Sequence, residues 1–169
     1  DSLYAAGQAA GTPEVGQWYL RTPDSSARAA INATAAWDQT TGSASVVVAV
    51  IDTGVRRDHP DLAGKLLAGY DFIGADGDGS YDTANDGNGR DADPSDPGDW
   101  ITSAEAGQGN FSGCSASDSS WHGTQTAGLI GAATNNGQGM AGAGWSSRIL
   151  PLRALGKCGG YDSDIVDAM

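Results

Sequence analysis

The sequence predicts an α/β layered fold on a mainly parallel sheet, and three observations predict it. A run apolar on both faces, residues 46–51 within Ser45-Val-Val-Val-Ala-Val-Ile51, reads as a strand covered on both sides. Strand-like segments alternate with helix-like ones along the chain, the pattern of parallel layered sheets. Composition agrees: 169 residues, 39% hydrophobic, 18% charged and 26 glycines suit one loop-rich globular core.

Taken in order, residues 1–16 are small and polar without periodicity and read as a loosely held arm. Ala29, Ala30, Ala33, Ala35, Ala36 and Trp37 predict a short Ala-rich helix within residues 25–42, ending by Gly42. The doubly apolar strand follows, then a shorter strand over 69–73. Residues 74–113 are mostly Gly, Asp, Ser and Asn, a loop whose length marks it as functional or tied down. Residues 121–134 predict a helix of small residues, and 148–155 another strand, with Pro151 favouring a bulge or a strand end. Residues 161–169 begin a helix, with Asp162 or Ser163 as its cap, and stop in mid-pattern as a severed chain would.

Net charge is −12, and lysine occurs only at Lys65 and Lys157. Such a surface repels nucleic acid and offers no polybasic membrane anchor. No apolar run is long enough to span a bilayer, and the chain starts at Asp1 with no basic-then-apolar leader, so any signal segment is expected to have been removed or never to have existed. Two cysteines, Cys114 and Cys158, permit one disulfide; two separate buried thiols are the alternative. Bridged, they would contribute about 4 kcal/mol in the chain-entropy picture and imply an oxidising compartment.

Asp52 ends the predicted central strand, where layered sheets place their chemistry, and His122 opens the small-residue helix. An imidazole titrates near neutrality, and a buried carboxylate can fix its tautomer and stabilise its cation. Gly123, and later Ala127-Gly128, would let the helix approach the sheet closely. The flanks sharpen this pairing. Val48-Ala-Val-Ile-Asp52-Thr-Gly-Val-Arg-Arg-Asp-His59-Pro-Asp61-Leu62 and Ser120-Trp-His122-Gly-Thr124 through Ala127-Gly128 resemble the subtilase segments around the catalytic Asp and His. Asp86-Gly-Asn-Gly-Arg-Asp91 and Leu155-Gly-Lys-Cys-Gly-Gly160 are similar to the secreted, acidic bacterial branch of that family.

The resemblance implies a subtilisin-like three-layer fold, incomplete here, with residues 17–169 as the front of a peptidase domain that includes an acidic loop over 71–113. It implies a secreted serine endopeptidase acting on polypeptides, with Asp52 as orienter and His122 as general base. Family members usually carry a His where Gln125 stands, so a modest change is expected there. None of Ser112, Ser115 or Ser117 has a nucleophile-like context, and the family's Gly-Thr-Ser-Met segment is absent. The chain alone is therefore expected to be inactive and to need a complementary C-terminal fragment bearing the Ser.

Nine of the 19 aspartates fall between Asp71 and Asp99, with Arg90 the only basic residue among them. Such density calls for solvation or for a hard cation; calcium held by Asp86, Asp91, Asp93 and Asp96 is the expectation, a solvated loop the alternative. A second calcium position is implied by the resemblance: Asp61, Asn136, the carbonyls of Thr134, Gln138 and Met140, and Gln17. Gly159 and Gly160 lie where the family pairs an edge strand with extended substrate, though two adjacent glycines equally make a plain turn. A non-catalytic, calcium-binding extracellular module is the alternative function. Asp52-Thr53-Gly54 also marks aspartic peptidases, a remote alternative.

Overall fold

The computed structural model describes residues 16–169. All but the last residue of the arm expected over 1–16 lies outside them. Three strands form one sheet in the order β1-β3-β2: β1 is Val47–Asp52, β2 Tyr70–Asp71 and β3 Arg148–Arg153. The α-helices are α1 (Ala33–Trp37), α2 (His122–Gly131) and α3 (Asp162–Asp167). β2 runs parallel to β3, with Tyr70 opposite Leu152 and Asp71 opposite Arg153. The expected parallel α/β arrangement is present.

The chain divides into two compact units, and β1, β3 and α2 each continue from one into the other. The first holds described residues 16–48, 58–65 and 127–149. Its core is Leu20, Ala33 and Ala141, with Tyr19 and Trp37 packed on them. Trp37 meets Trp145 edge to face at 5.0 Å between ring centroids and donates its indole N–H to Ala143 O. Only Ala33–Trp37 of the predicted 25–42 helix forms. Asp24 Oδ1 collects the N–H groups of Ser26 and Ala27 into a turn, and Asn32 takes a left-handed φ of 55°, which no α-helix continues through.

β1 is not covered on both sides as expected. Val47 is half exposed, whereas Val50 and Asp52 are buried, because among the described residues only the face bearing Val48, Val50 and Asp52 is packed. β3 departs from expectation in the other direction. Pro151 sits buried inside the middle strand rather than at its end. The N–H groups of Arg148 and Ala154 point toward β1, to Val46 O and Asp52 O, so by alternation the N–H that Pro151 lacks would face the opposite side. There β2 has not yet begun, and Gly69 packs flat on the proline ring; a side chain at Gly69 would meet Pro151 and Pro94. No ladder bond is forfeited.

The second unit, residues 49–57, 66–126 and 150–169, contains the acidic loop. Its aspartates mostly bind the loop's own backbone: Asp71 accepts from Ile73 N, Asp76 from Thr83 N, Asp93 from Ser95 N. Isolated bridges Val55–Ser95, Asp71–Asp91 and Ile101–Ser117 fasten it, as does a disulfide between Cys114 and Cys158, whose Cα atoms are 6.0 Å apart. α3 begins after Tyr161, not after Asp162 or Ser163; Asp164 lies in its first turn and accepts from Gly74 N and Arg90. No helix among the described residues is long and apolar enough to cross a membrane.

Candidate active site

Asp52 ends β1 with its carboxylate buried, and α2 begins at His122 directly against it. The imidazole Nδ1 lies 2.9 Å from Asp52 Oδ1 and 2.8 Å from Oδ2. An ionised carboxylate can only accept, so Nδ1 carries the proton and Nε2 is left basic. Ring geometry turns Nε2 away from Asp52, and the imidazole is 67% exposed against 7% for the carboxylate. Asp52 Oδ1 also accepts the Thr53 N–H at 2.7 Å. The pair is an oriented base whose free nitrogen faces out, fit to take a proton from a group delivered to it.

The close approach depends on Gly123. A methyl group there would strike Gly54 O and lie 3.2 Å from Asp52 Cβ, so no other residue lets the start of α2 reach the end of β1. Gly54 is equally constrained: its φ is +93°, and a side chain would lie 2.6 Å from Pro94 O. His122 itself is held from behind. Its N–H donates to Ser120 Oγ, and Asp99 accepts both the N–H and the hydroxyl of Ser120. Trp121 adopts a left-handed φ of 52°, rare for an aromatic residue, with the Arg56 guanidinium 5.3 Å from its ring centroid. Gln125 donates to Ser120 O at 2.8 Å and closes the turn that presents His122. Gly123 was legible in the sequence; the Asp99–Ser120 and Arg56–Trp121 supports were not, because each joins residues distant along the chain.

The second histidine serves structure. His59 Nδ1 accepts the Asp61 N–H and caps the 3₁₀ turn Pro60–Leu62. Nor is Asp52 one of two paired carboxylates: it ends a strand of a parallel sheet and faces an imidazole, so the aspartic peptidase reading falls.

Around Asp61 the expected ligands partly converge. Asp61 is buried; Asn136 Nδ2 donates to its Oδ1 at 2.7 Å and Met140 N to its Oδ2 at 2.8 Å. Gln17, also buried, exchanges two 2.7 Å hydrogen bonds with the Ala141 backbone. The side chain of Thr134 bonds Ala132 O, and the Gln138 N–H bonds Asn136 Oδ1. The groups facing the Asp61 carboxylate are two N–H donors; turning the Asn136 carboxamide over would aim its oxygen, a hard donor of the kind calcium takes, beside Asp61.

Asp86, Asn88, Asp91 and Asp93 line a cavity of about 280 Å³ with Ser95 and Pro97. Asp96 does not join them. It is buried and turns to Thr53 and Gly98, because the backbone of Asp96 pairs with Val55. Asp86 and the buried Asp71 share the Arg153 guanidinium. Burial pushes the Asp71 carboxyl up to about 6, outweighing Arg153. Among the described residues no three His, Cys, Asp or Glu side chains converge as a metal set.

Gly159 and Gly160 border a cavity of about 100 Å³ lined also by Ile73, Thr83, Asn110 and Tyr161. Gly156 and Gly159 pair across a tight turn, with Gly159 at φ +103°. The turn and the cavity rim coexist. Beneath them Lys157, almost fully buried, pairs with Glu105 and lies 4.8 Å from the Phe111 ring centroid and 5.5 Å from that of Trp100.

Comparison with known proteins places this geometry among relatives. The model described as "Subtilase family" matches residues 43–169. An extracellular protease of Xanthomonas campestris pv. campestris is 48% identical over 153 residues, 90% of this chain and 24% of that protein. An extracellular basic protease of Dichelobacter nodosus is 45% identical over 82% of this chain and 22% of its own length. Among solved structures, a Pseudoalteromonas arctica protease superposes with a TM-score of 0.70 at 49% identity, covering 81% of this chain and 37% of that one. The chain thus spans about a quarter of the curated relatives named.

Proposed function

Because the chain belongs to the subtilase family, we propose that it supplies the Asp and the His of an Asp–His–Ser triad in a secreted serine endopeptidase. The observation that carries this reading is the 2.8–2.9 Å contact between His122 Nδ1 and Asp52. Asp52 fixes the tautomer and stabilises the imidazolium. Nε2 takes the proton of a serine hydroxyl as it attacks the substrate carbonyl, then returns it to the leaving amine. The nucleophile comes from a further segment carrying the family's Ser motif, and residues 1–169 alone are inactive. The substrate is a polypeptide, with Gly159 and Gly160 at the rim that meets its backbone. Two relatives named as extracellular proteases, and the disulfide, support secretion.

Calcium is the proposed stabilising ion. Asp61 and Asn136, with the carbonyls of Thr134, Gln138 and Met140 and with Gln17, would hold the ion. Its chemistry is charge neutralisation at hard oxygens, outside the proton transfers.

A fluorophosphonate probe on the full-length protein containing this chain tests the function. Mass mapping is expected to find the adduct on a serine outside residues 1–169, and His122→Ala to abolish it. Absence of labelling in the unaltered protein would favour the non-catalytic calcium-binding module instead.

A further inference from the structure

Thr53, the residue after Asp52, is buried, and its hydroxyl has two partners. Oγ1 lies 2.7 Å from Asp96 Oδ2 and 3.0 Å from the N of Gly123. The directions are forced. A backbone N–H only donates, so Oγ1 accepts from Gly123 and spends its single proton on Asp96. One hydroxyl therefore joins the residue following Asp52 to the residue following His122.

Asp96 is itself immobilised. Its N–H donates to Val55 O at 3.0 Å, while Val55 N donates to Pro94 O at 3.1 Å. Its Oδ1 accepts the Gly98 N–H at 2.8 Å. This strip runs along Gly54, where the absence of a side chain admits it. A carboxylate 5% exposed and committed to a threonine hydroxyl is costly to bury, and nothing in the proton transfers requires it.

We propose that Asp96 is a positioning residue for the Asp52–His122 pair, acting through the Thr53 hydroxyl to lock the first turn of α2 against the end of β1. The proposal rests on the reading of Asp52 and His122 as catalytic. Without Asp96 the Thr53 hydroxyl is free to change rotamer and release Gly123 N. A shift of about 1 Å in the base costs on the order of 100-fold in rate. Because Asp96 and Thr53 act on the position of the base through the Gly123 N–H, the loss is expected to fall on kcat and to spare KM.

The test measures kcat and KM of the full-length protein on a peptide substrate for Thr53→Val, Thr53→Ser, Asp96→Ala and the Thr53→Val/Asp96→Ala double variant. Thr53→Val is expected to lower kcat about 10- to 100-fold at unchanged KM, and Thr53→Ser, which keeps the hydroxyl, to recover most of it. The double variant is expected to be no worse than Thr53→Val alone, since both remove one pathway. Thr53→Val within twofold of the unaltered enzyme, or losses that multiply in the double variant, would overturn the proposal. Should Thr53→Val fail to fold by its melting curve, Asp96→Asn decides. Its carboxamide keeps a hydrogen-bond partner for Thr53 Oγ1 in either orientation, accepting from it or donating to it, so it must retain more kcat than Asp96→Ala, and equal losses overturn the proposal. An unaltered enzyme silent toward both peptide and fluorophosphonate removes the functional premise, and the positioning role with it.

Discussion

Lys157 is the residue whose setting most changes what the surrounding charges do. Its ammonium is buried between Phe111 and Trp100, with Glu105 as counter-ion, and Glu105 also accepts the N–H and hydroxyl of Thr102. Lys157 foremost, then Thr102, hold the Glu105 carboxyl down at about 2, below its ordinary 4.5. A carboxyl depressed on folding contributes stability above its unfolded value, and that contribution is lost as pH falls through the folded one. Melting temperature is therefore expected to drop between about pH 4.5 and pH 2, and Glu105→Gln, already less stable at pH 7, to show a flatter dependence there. An unchanged slope in Glu105→Gln would contradict this. At the same scale, Asp52 and His122 were legible in the sequence because their flanking residues form a pattern. Thr53 and Asp96 were not: their bond spans 43 positions and leaves no local signature. Asp96 was read as a calcium ligand from the density of carboxylates alone, and burial beside Val55 decides otherwise.

Elements were legible where one physical rule governed them. α2 begins at His122, and Gly123 is the small residue that lets it approach, as helix–strand packing demands. β3 was misjudged at Pro151 because a missing N–H matters only on a side that has a partner, which sequence does not reveal. The acidic loop was expected to need a cation, and much of its charge is instead absorbed by its own N–H groups and by Arg153. The loop after α2 keeps the stronger case for calcium, since the buried Asp61 is met by one side-chain amide and one backbone N–H that a cation would displace. A micromolar site in millimolar calcium stabilises by about 4 kcal/mol. Melting in EDTA is expected several degrees lower than in calcium, and Asp61→Asn to remove most of that difference. Identical curves with and without chelator would remove calcium from the account.

For the molecule as a whole, a net charge of −12 argued against phosphate-bearing partners, and the relatives that match are proteases. The parallel sheet and the order Asp before His could be read in advance. What could not be read is how the catalytic pair is braced, because bracing comes from the long loop, whose sequence carries no periodicity. The central claim is that Asp52 holds the His122 imidazole ready to accept a proton, and one rate comparison tests it most directly. In the full-length enzyme, Asp52→Asn should keep the fold and KM but lower kcat about 10⁴-fold, since the amide favours the wrong tautomer. A folded Asp52→Asn enzyme with kcat within a few-fold of the unaltered protein would contradict the account.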